Sequence, residues 1–331
     1  MFDQIEDPSG SGAGLQRIYR DRLRLAVRAE EAGFWGYHKS EHHMIPLDVA
    51  PNLGVFFGAL SQLTSRIRLC SLVHLLPFHH PLQLAEEVAM VDQLSGGRFE
   101  LGFGKGVSAP EHLLWGLSPD EAEARLDESL AIVLAALQAK DGFSYEGRFW
   151  SFNDVPVLTR PLQTPYPPLW RPGTIATAAT LGVSTMAGGP IGRVAASVAE
   201  YKQRYEPGIG GGHAPTVGGI RKIDVAKTDA EADARVRAAW GPYTEHLTRL
   251  FRRYEMTPPG DPTLGGDVEL ALQLEVVVAG SPARIRDHVD QFREQAGTDY
   301  FVGAFAWGDL TADEVARSFD LFVDSVGGLL P

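Results

Sequence analysis

Strand-like and helix-like segments alternate from one end of this chain to the other, and that alternation restricts its fold more than any other feature. "LQRIYRDRLRLAVRAEEAG" (15–33) carries apolar residues at helical spacing and stops at Gly33. "FWGYHKSEHH" follows as a strand leading into a loop, and "NLGVFFGALSQLT" (52–64) as a helix. "IRLCSLVHLL" (67–76) is a nearly continuous apolar run, as expected of a strand buried on both faces. "PLQLAEEVAMVDQLSGG" (81–97) is a helix opened by proline and closed by glycines. It delivers the chain to "GGRFELGFGKG" (96–106), an alternating strand that ends in Gly102, Gly104 and Gly106 with Lys105 among them. Residues 143–158 have the pattern of a hairpin turning at Glu146-Gly147. Ser118 with Glu121, Thr228 with Glu231 and Thr311 with Glu314 have the spacing of capping boxes. "GIGGGHAP" (208–215) reads as a mobile loop or as a plain linker. Parallel strands joined by helices need right-handed crossovers. With this many units and no clear linker, one (β/α)8 barrel spanning residues 1–331 is expected rather than an open doubly wound sheet. Its first strand is short, because only "MFDQI" precedes the first turn.

The length of 331 residues suits such a barrel, and 44% hydrophobic with 22% charged residues describes an ordinary globular protein. With Cys70 as its single cysteine the chain forms no internal disulfide, and a reducing compartment is expected. A formal net charge of −12 argues against nucleic-acid or anionic-membrane partners. No apolar run reaches the length of a membrane helix. "MFDQIEDPSG" lacks the basic-then-apolar order of a signal peptide, so the expected address is the cytoplasm.

In a (β/α)8 barrel, ligands bind at the C-terminal ends of the strands. That rule selects Glu41, His42 and His43, then His74, then Gly102 to Gly106, and finally Trp307 and Gly308. Glycines let a backbone approach a flat or anionic ligand, and Lys105 offers a point charge for phosphate. The spacing G-x-G-x-G is not the dinucleotide fingerprint. His42 reads as an acid–base group; His43 and His74 read equally as functional or structural, and His79 and His80 as a loop before Pro81. His42, His43 and His74 with Glu41 also admit a metal reading, although no H-x-H or H-E-x-x-H spacing is present. Glu86 and Glu87 suit the negative start of a helix, and Asp92 is placed to tie that helix to Arg98. Thr174, after "WRPG", reads as a phosphate contact at a helix start and equally as a simple N-cap. Trp35, Phe56, Phe57, Trp115 and Trp307 are candidates for an apolar pocket, and more readily for the core.

Together, "SEHHM" (40–44), "LTSRIRL" (63–69) and above all "LLPFHHPLQLAEEVAMVDQLSGGRFELGFGKG" (75–106) resemble the bacterial luciferase-like flavin monooxygenase family. Weaker similarity in "YEGRFWSF", "PLQTPYPPLW", "VVAGSP" and "SFDLFVDSV" extends the resemblance over nearly the whole chain. It implies a (β/α)8 barrel that takes reduced FMN from a separate flavin reductase, and in one branch the deazaflavin F420. It also implies a homodimer formed through helices beside the early strands. The implied activity is oxygenation of a small organic substrate, such as an aldehyde or ketone, with O2 through a C4a-peroxyflavin. Carried over residue by residue, His42 matches the active-site histidine. Leu72 and Val73 match a segment that can hold a non-proline cis peptide behind the flavin. Gly104 stands beside the flavin ring, where luciferase has a cysteine, and Lys105 stands where luciferase has a phosphate-binding arginine. Gly106, Gly173 and Thr174 belong with the cofactor cradle, and Arg171 in the unusual "WRPG" segment is an extra phosphate partner. The alternatives are hydride transfer with F420, a metal-dependent hydrolase on His42, His43 and His74, and a non-catalytic flavin-binding protein.

Overall fold

The computed structural model describes residues 1–258 and 266–327. Among these, eight parallel strands form a ring. They are β1 (Phe2–Asp3), β2 (Gly36–Lys39), β3 (Arg68–Ser71), β4 (Phe99–Gly104), β5 (Leu169–Trp170), β6 (Thr185–Ala187), β7 (Val217–Val225) and β8 (Phe301–Ala304). Neighbours pair in sequence order, with Phe2 opposite His38, Gly36 opposite Arg68, Leu69 opposite Phe99 and Leu101 opposite Leu169. A single bridge from Trp170 to Ser184 joins β5 to β6. Thr185 then faces Val217, Gly219 faces Phe301, and β8 packs against β1 to complete the ring. The helices that pass over its outside include α1 (Leu15–Glu31), α2 (Leu53–Leu63), α3 (Pro81–Ser95), α4 (Ala122–Gln138), α5 (Ile175–Leu181), α6 (Ile191–Arg204), α7 (Asp229–Arg253) and α8 (Ala312–Val326). The hairpin Gly142–Glu146 with Ser151–Pro156 lies between α4 and β5, as its turn signal implies. Between β7 and β8 the strand Val277–Gly280 adds to the far end of β7. Among the described residues no helix is long and apolar enough to cross a membrane.

The ring is filled. Leu72, Trp170, Met186 and Val302 form a cluster with Phe2, Val73, Ile220 and Tyr300, drawn from strands all around it. A second, larger core lies between strands and helices, and Phe56, Phe57 and Trp307 belong to it rather than to a pocket. Local signals act as their chemistry requires. Asn52 caps α2 by accepting from Val55 N at 2.8 Å, and α3 ends on Gly96 at φ 68°. Thr311 and Glu314 form the full capping box, whereas Thr228 only accepts from Glu231 N at 3.2 Å. Ser118 caps a 3-10 turn by accepting from Asp120 N, and Glu121 turns instead to Arg125 and Arg148. Two expectations on α3 are corrected. Its first turn carries no acid, and Asp92 accepts from Leu162 N and from Gln163 rather than pairing with Arg98. Arg98 instead donates to carbonyls of Ser61, Ile67 and Ser95. The glycine-rich 208–215 segment is tied down: Ile209 N donates to Leu181 O, and Tyr166 Oη donates to Ile209 O, each at 2.8 Å.

Candidate functional site

β2 delivers "SEHH" to the C-terminal mouth of the barrel. A buried ion pair pins the delivery, with Lys39 Nζ 2.8 Å from Asp48 Oδ2 and Ser40 Oγ donating to the same oxygen. Glu41 is wholly buried and serves as a hub. Its Oε1 lies 2.7 Å from His43 Nε2 and 2.8 Å from His79 Nε2, and its Oε2 accepts from Leu75 N at 3.0 Å. Burial alone would raise this carboxyl, but the two imidazoles hold it well below the usual carboxylate range. His42 points elsewhere: its Nδ1 is 3.4 Å from Glu111 Oε2, while Glu111 Oε1 accepts from His43 N at 2.6 Å. Burial works to lower the His42 pKa, and the Glu111 carboxylate more than offsets it, so the ring titrates above its ordinary 6.5. Glu111 is correspondingly lowered, with its burial outweighed by His42. His74 pairs with Glu87 at 3.1 Å. The three histidines of the metal reading thus serve three different carboxylates. Among the described residues no group of three His, Cys, Asp or Glu is arranged to hold a metal ion.

The glycines of β4 have a tighter reason than admitting a ligand. β3 continues through a cis peptide between Leu72 and Val73, and that segment presses on β4. A Cβ on Gly102 would lie 2.1 Å from Ser71 O, and one on Gly104 would lie 2.6 Å from Val73 Cγ2. Ser71 and Val73 take the space that side chains at Gly102 and Gly104 would need. Gly106 is needed for its backbone, at φ 83°. His112 fastens the loop that follows, with Nε2 2.9 Å from Lys105 O and Nδ1 3.0 Å from Ser108 O.

Lys105 and Arg171, distant in sequence, meet at the ends of β4 and β5. Both reach one carboxylate: Glu123 Oε2 is 3.1 Å from Lys105 Nζ, and Glu123 Oε1 is 2.9 Å from Arg171 Nη2. Arg171 Nη1 also lies 3.9 Å from where a Cβ on Gly104 would be. Gly173, at φ 112°, and Thr174 continue from Arg171 into open surroundings, and the Thr174 hydroxyl makes no capping hydrogen bond. The structure therefore brings Gly104, Lys105 and Arg171 together, and places His42 with Glu111 on the β2 side of the same mouth. This donor set fits the phosphate end of a flavin. Both are cationic donors of the kind a phosphate takes, Glu123 and Asp127 of α4 supply the opposing charge, and Thr174 follows three residues after Arg171.

The rim between these groups is apolar. Trp115 lies against His43, with ring centroids 4.5 Å apart, and stacks on Phe78 at 5.1 Å. Met44 and Val107 are exposed on the adjoining loops, and Leu113 and Leu114 on the short helix Ala109–Leu114. Trp35 is at the other end of the barrel, with Arg68 5.6 Å from its ring centroid. Sequence reasoning missed Glu111, Glu123 and Lys222. The signal for Lys222 was a lysine inside the strand "GGIRKIDV": its Nζ lies 3.8 Å from the Tyr243 ring centroid, and burial lowers its pKa to about 8.

A profile of the family described as luciferase-like monooxygenase matches residues 1–300. The chain is 32% identical to the uncharacterized protein y4wF of Sinorhizobium fredii, over 95% of this chain and 91% of that protein. It is 25% identical to limonene 1,2-monooxygenase of Rhodococcus erythropolis, over 93% and 80% of the two chains. Among solved structures, monooxygenase RslO1 from Streptomyces bottropensis superposes with a TM-score of 0.81 at 24% identity, covering 100% of this chain and 99% of that one. The oxygenating constituent of 3,6-diketocamphane monooxygenase from Pseudomonas putida, solved in complex with FMN, gives 0.76 at 21% identity, with 97% and 95% covered. A barrel with this mouth, matched by this family along most of its length, belongs to the luciferase-like monooxygenases and is a flavin-dependent oxidoreductase of that kind.

Proposed function

We propose that the mouth of the barrel binds reduced FMN, delivered by a separate flavin reductase, and uses O2 to oxygenate a small organic substrate such as an aldehyde or ketone. The observation that carries this reading is the meeting of Lys105 and Arg171 on the end of the barrel that also holds the His42–Glu111 pair. The relative solved with FMN, described as an oxygenating constituent, supports both the cofactor and the reductase.

The bound reduced flavin supplies the electrons that activate O2. The chain's own residues do the rest. Lys105, Arg171 and Thr174 hold the phosphate, and Leu72, Val73 and Gly104 form the wall beside the ring, with Gly106 and Gly173 shaping the loops. Glu111 engages His42 Nδ1, which leaves Nε2 to give or take the proton that the oxygen transfer requires. Trp115 and Phe78 shield the mouth from water, which protects a reactive oxygen species from hydrolytic loss.

A homodimer completes the reading. α2 exposes Val55 and Leu63, and the neighbouring α3 exposes Met90 and Leu94, an apolar face suited to a second copy of the chain.

The test is an anaerobic titration with reduced FMN and with reduced F420, followed by rapid mixing with air and candidate carbonyl compounds. FMN binding with oxygen uptake coupled to product is expected. F420 binding without oxygen uptake would move the chain to hydride transfer, and binding of neither would sink the flavin site.

A further inference from the structure

The two cations assigned to the phosphate are not free in this structure. Glu123 stands in the first turn of α4, about half exposed, and uses one oxygen for each of them, at 3.1 Å to Lys105 and 2.9 Å to Arg171. A carboxylate bridging two cations with separate oxygens presents to them what two oxygens of a phosphate would present. The next turn of α4 adds Asp127, whose carboxyl is raised first by burial and then by the charge of Glu123. Two acids of one helix thus act on Arg171, one of the two cations from which a phosphate must be held.

We propose that Glu123 is an internal competitor for the cofactor's phosphate: it occupies Lys105 and Arg171 together, and a phosphate binds by displacing it. This rests on the reading of those two cations as the phosphate anchor. Glu123 is about half exposed on a solvent-facing turn, so its side chain can swing outward as a phosphate takes its place. The consequence is a cofactor held less tightly than two cations alone would hold it. That suits an enzyme that receives reduced flavin from another protein and must release the oxidised form after each turnover. Stability is a weak alternative reason for the Lys105 contact, since both of its side chains are about half exposed and such pairs contribute little to folding.

The experiment compares FMN with riboflavin, which lacks the phosphate, by calorimetric titration of the full chain. The unaltered protein, Glu123→Gln, Glu123→Ala, Lys105→Met and Arg171→Met are measured, with thermal unfolding as a check on folding. Both Glu123 variants are expected to bind FMN about three- to tenfold more tightly, the effect of removing a competing surface pair, with riboflavin unchanged. Unchanged or weaker FMN binding would show that Glu123 holds the cations in place for the phosphate, and overturns the proposal. So does an equal gain for riboflavin. If Lys105→Met and Arg171→Met keep the full preference for FMN over riboflavin, the phosphate anchor itself is wrong, whatever Glu123 does.

Discussion

An imidazole beside a buried carboxylate is a different acid from one in water, and His42 is in that position. Burial disfavours its cation, Glu111 favours it, and Glu111 prevails. A proton-bound His42 therefore persists above pH 6.5. Because its folded pKa is raised, the pair contributes its full stability below about pH 6.5 and loses it as pH rises through the raised value. Titration of the ring by NMR should show this elevation, and Glu111→Gln should bring it down; an unmoved midpoint would dissociate the two residues. His42→Ala is expected to lower coupled oxygenation about 100-fold while leaving FMN affinity unchanged. His42 was legible in the sequence because it follows directly on a strand. Glu111 was not, because it lies 69 residues away on a six-residue helix and only the fold joins them. Lys105 was legible as a cation at a strand end and Arg171 only through the family resemblance, but Glu123 between them was one acid among several on an ordinary helix.

At the scale of elements, β3 and β4 touch where β4 can carry no side chain. Gly102→Ala would place a methyl group 2.1 Å from Ser71 O, a backbone atom that cannot rotate aside. A loss of about 1–3 kcal/mol in unfolding free energy is expected, with weakened FMN binding as the Leu72–Val73 segment shifts. Gly188→Ala, where a Cβ meets nothing within 4 Å, should change stability little and serves as the control. Denaturant unfolding distinguishes them, and equal effects would contradict the close approach. The alternation of elements was readable because long helices and buried strands leave strong periodic marks. β1 and β5 left faint ones, since two residues of strand hold no period. A glycine-rich strand end announced a special position, but it could not say whether ligand or protein fills the space.

For the whole molecule, the exposed apolar residues of α2 and α3 bear on assembly. Val55→Glu combined with Met90→Glu is expected to halve the mass measured by light scattering without lowering the melting temperature of the barrel. A mass already that of one chain in the unaltered protein would remove the interface. The filled interior bears on something else. With Trp170, Met186, Val302 and their neighbours packed across the ring, the barrel is a cup and not a tube. On the proposed function, cofactor, oxygen, substrate and product would share one opening, and traffic through it would have a sequence. Whatever lies deepest enters first and leaves last, and steady-state kinetics should be ordered, with the outer ligand trapping the inner one.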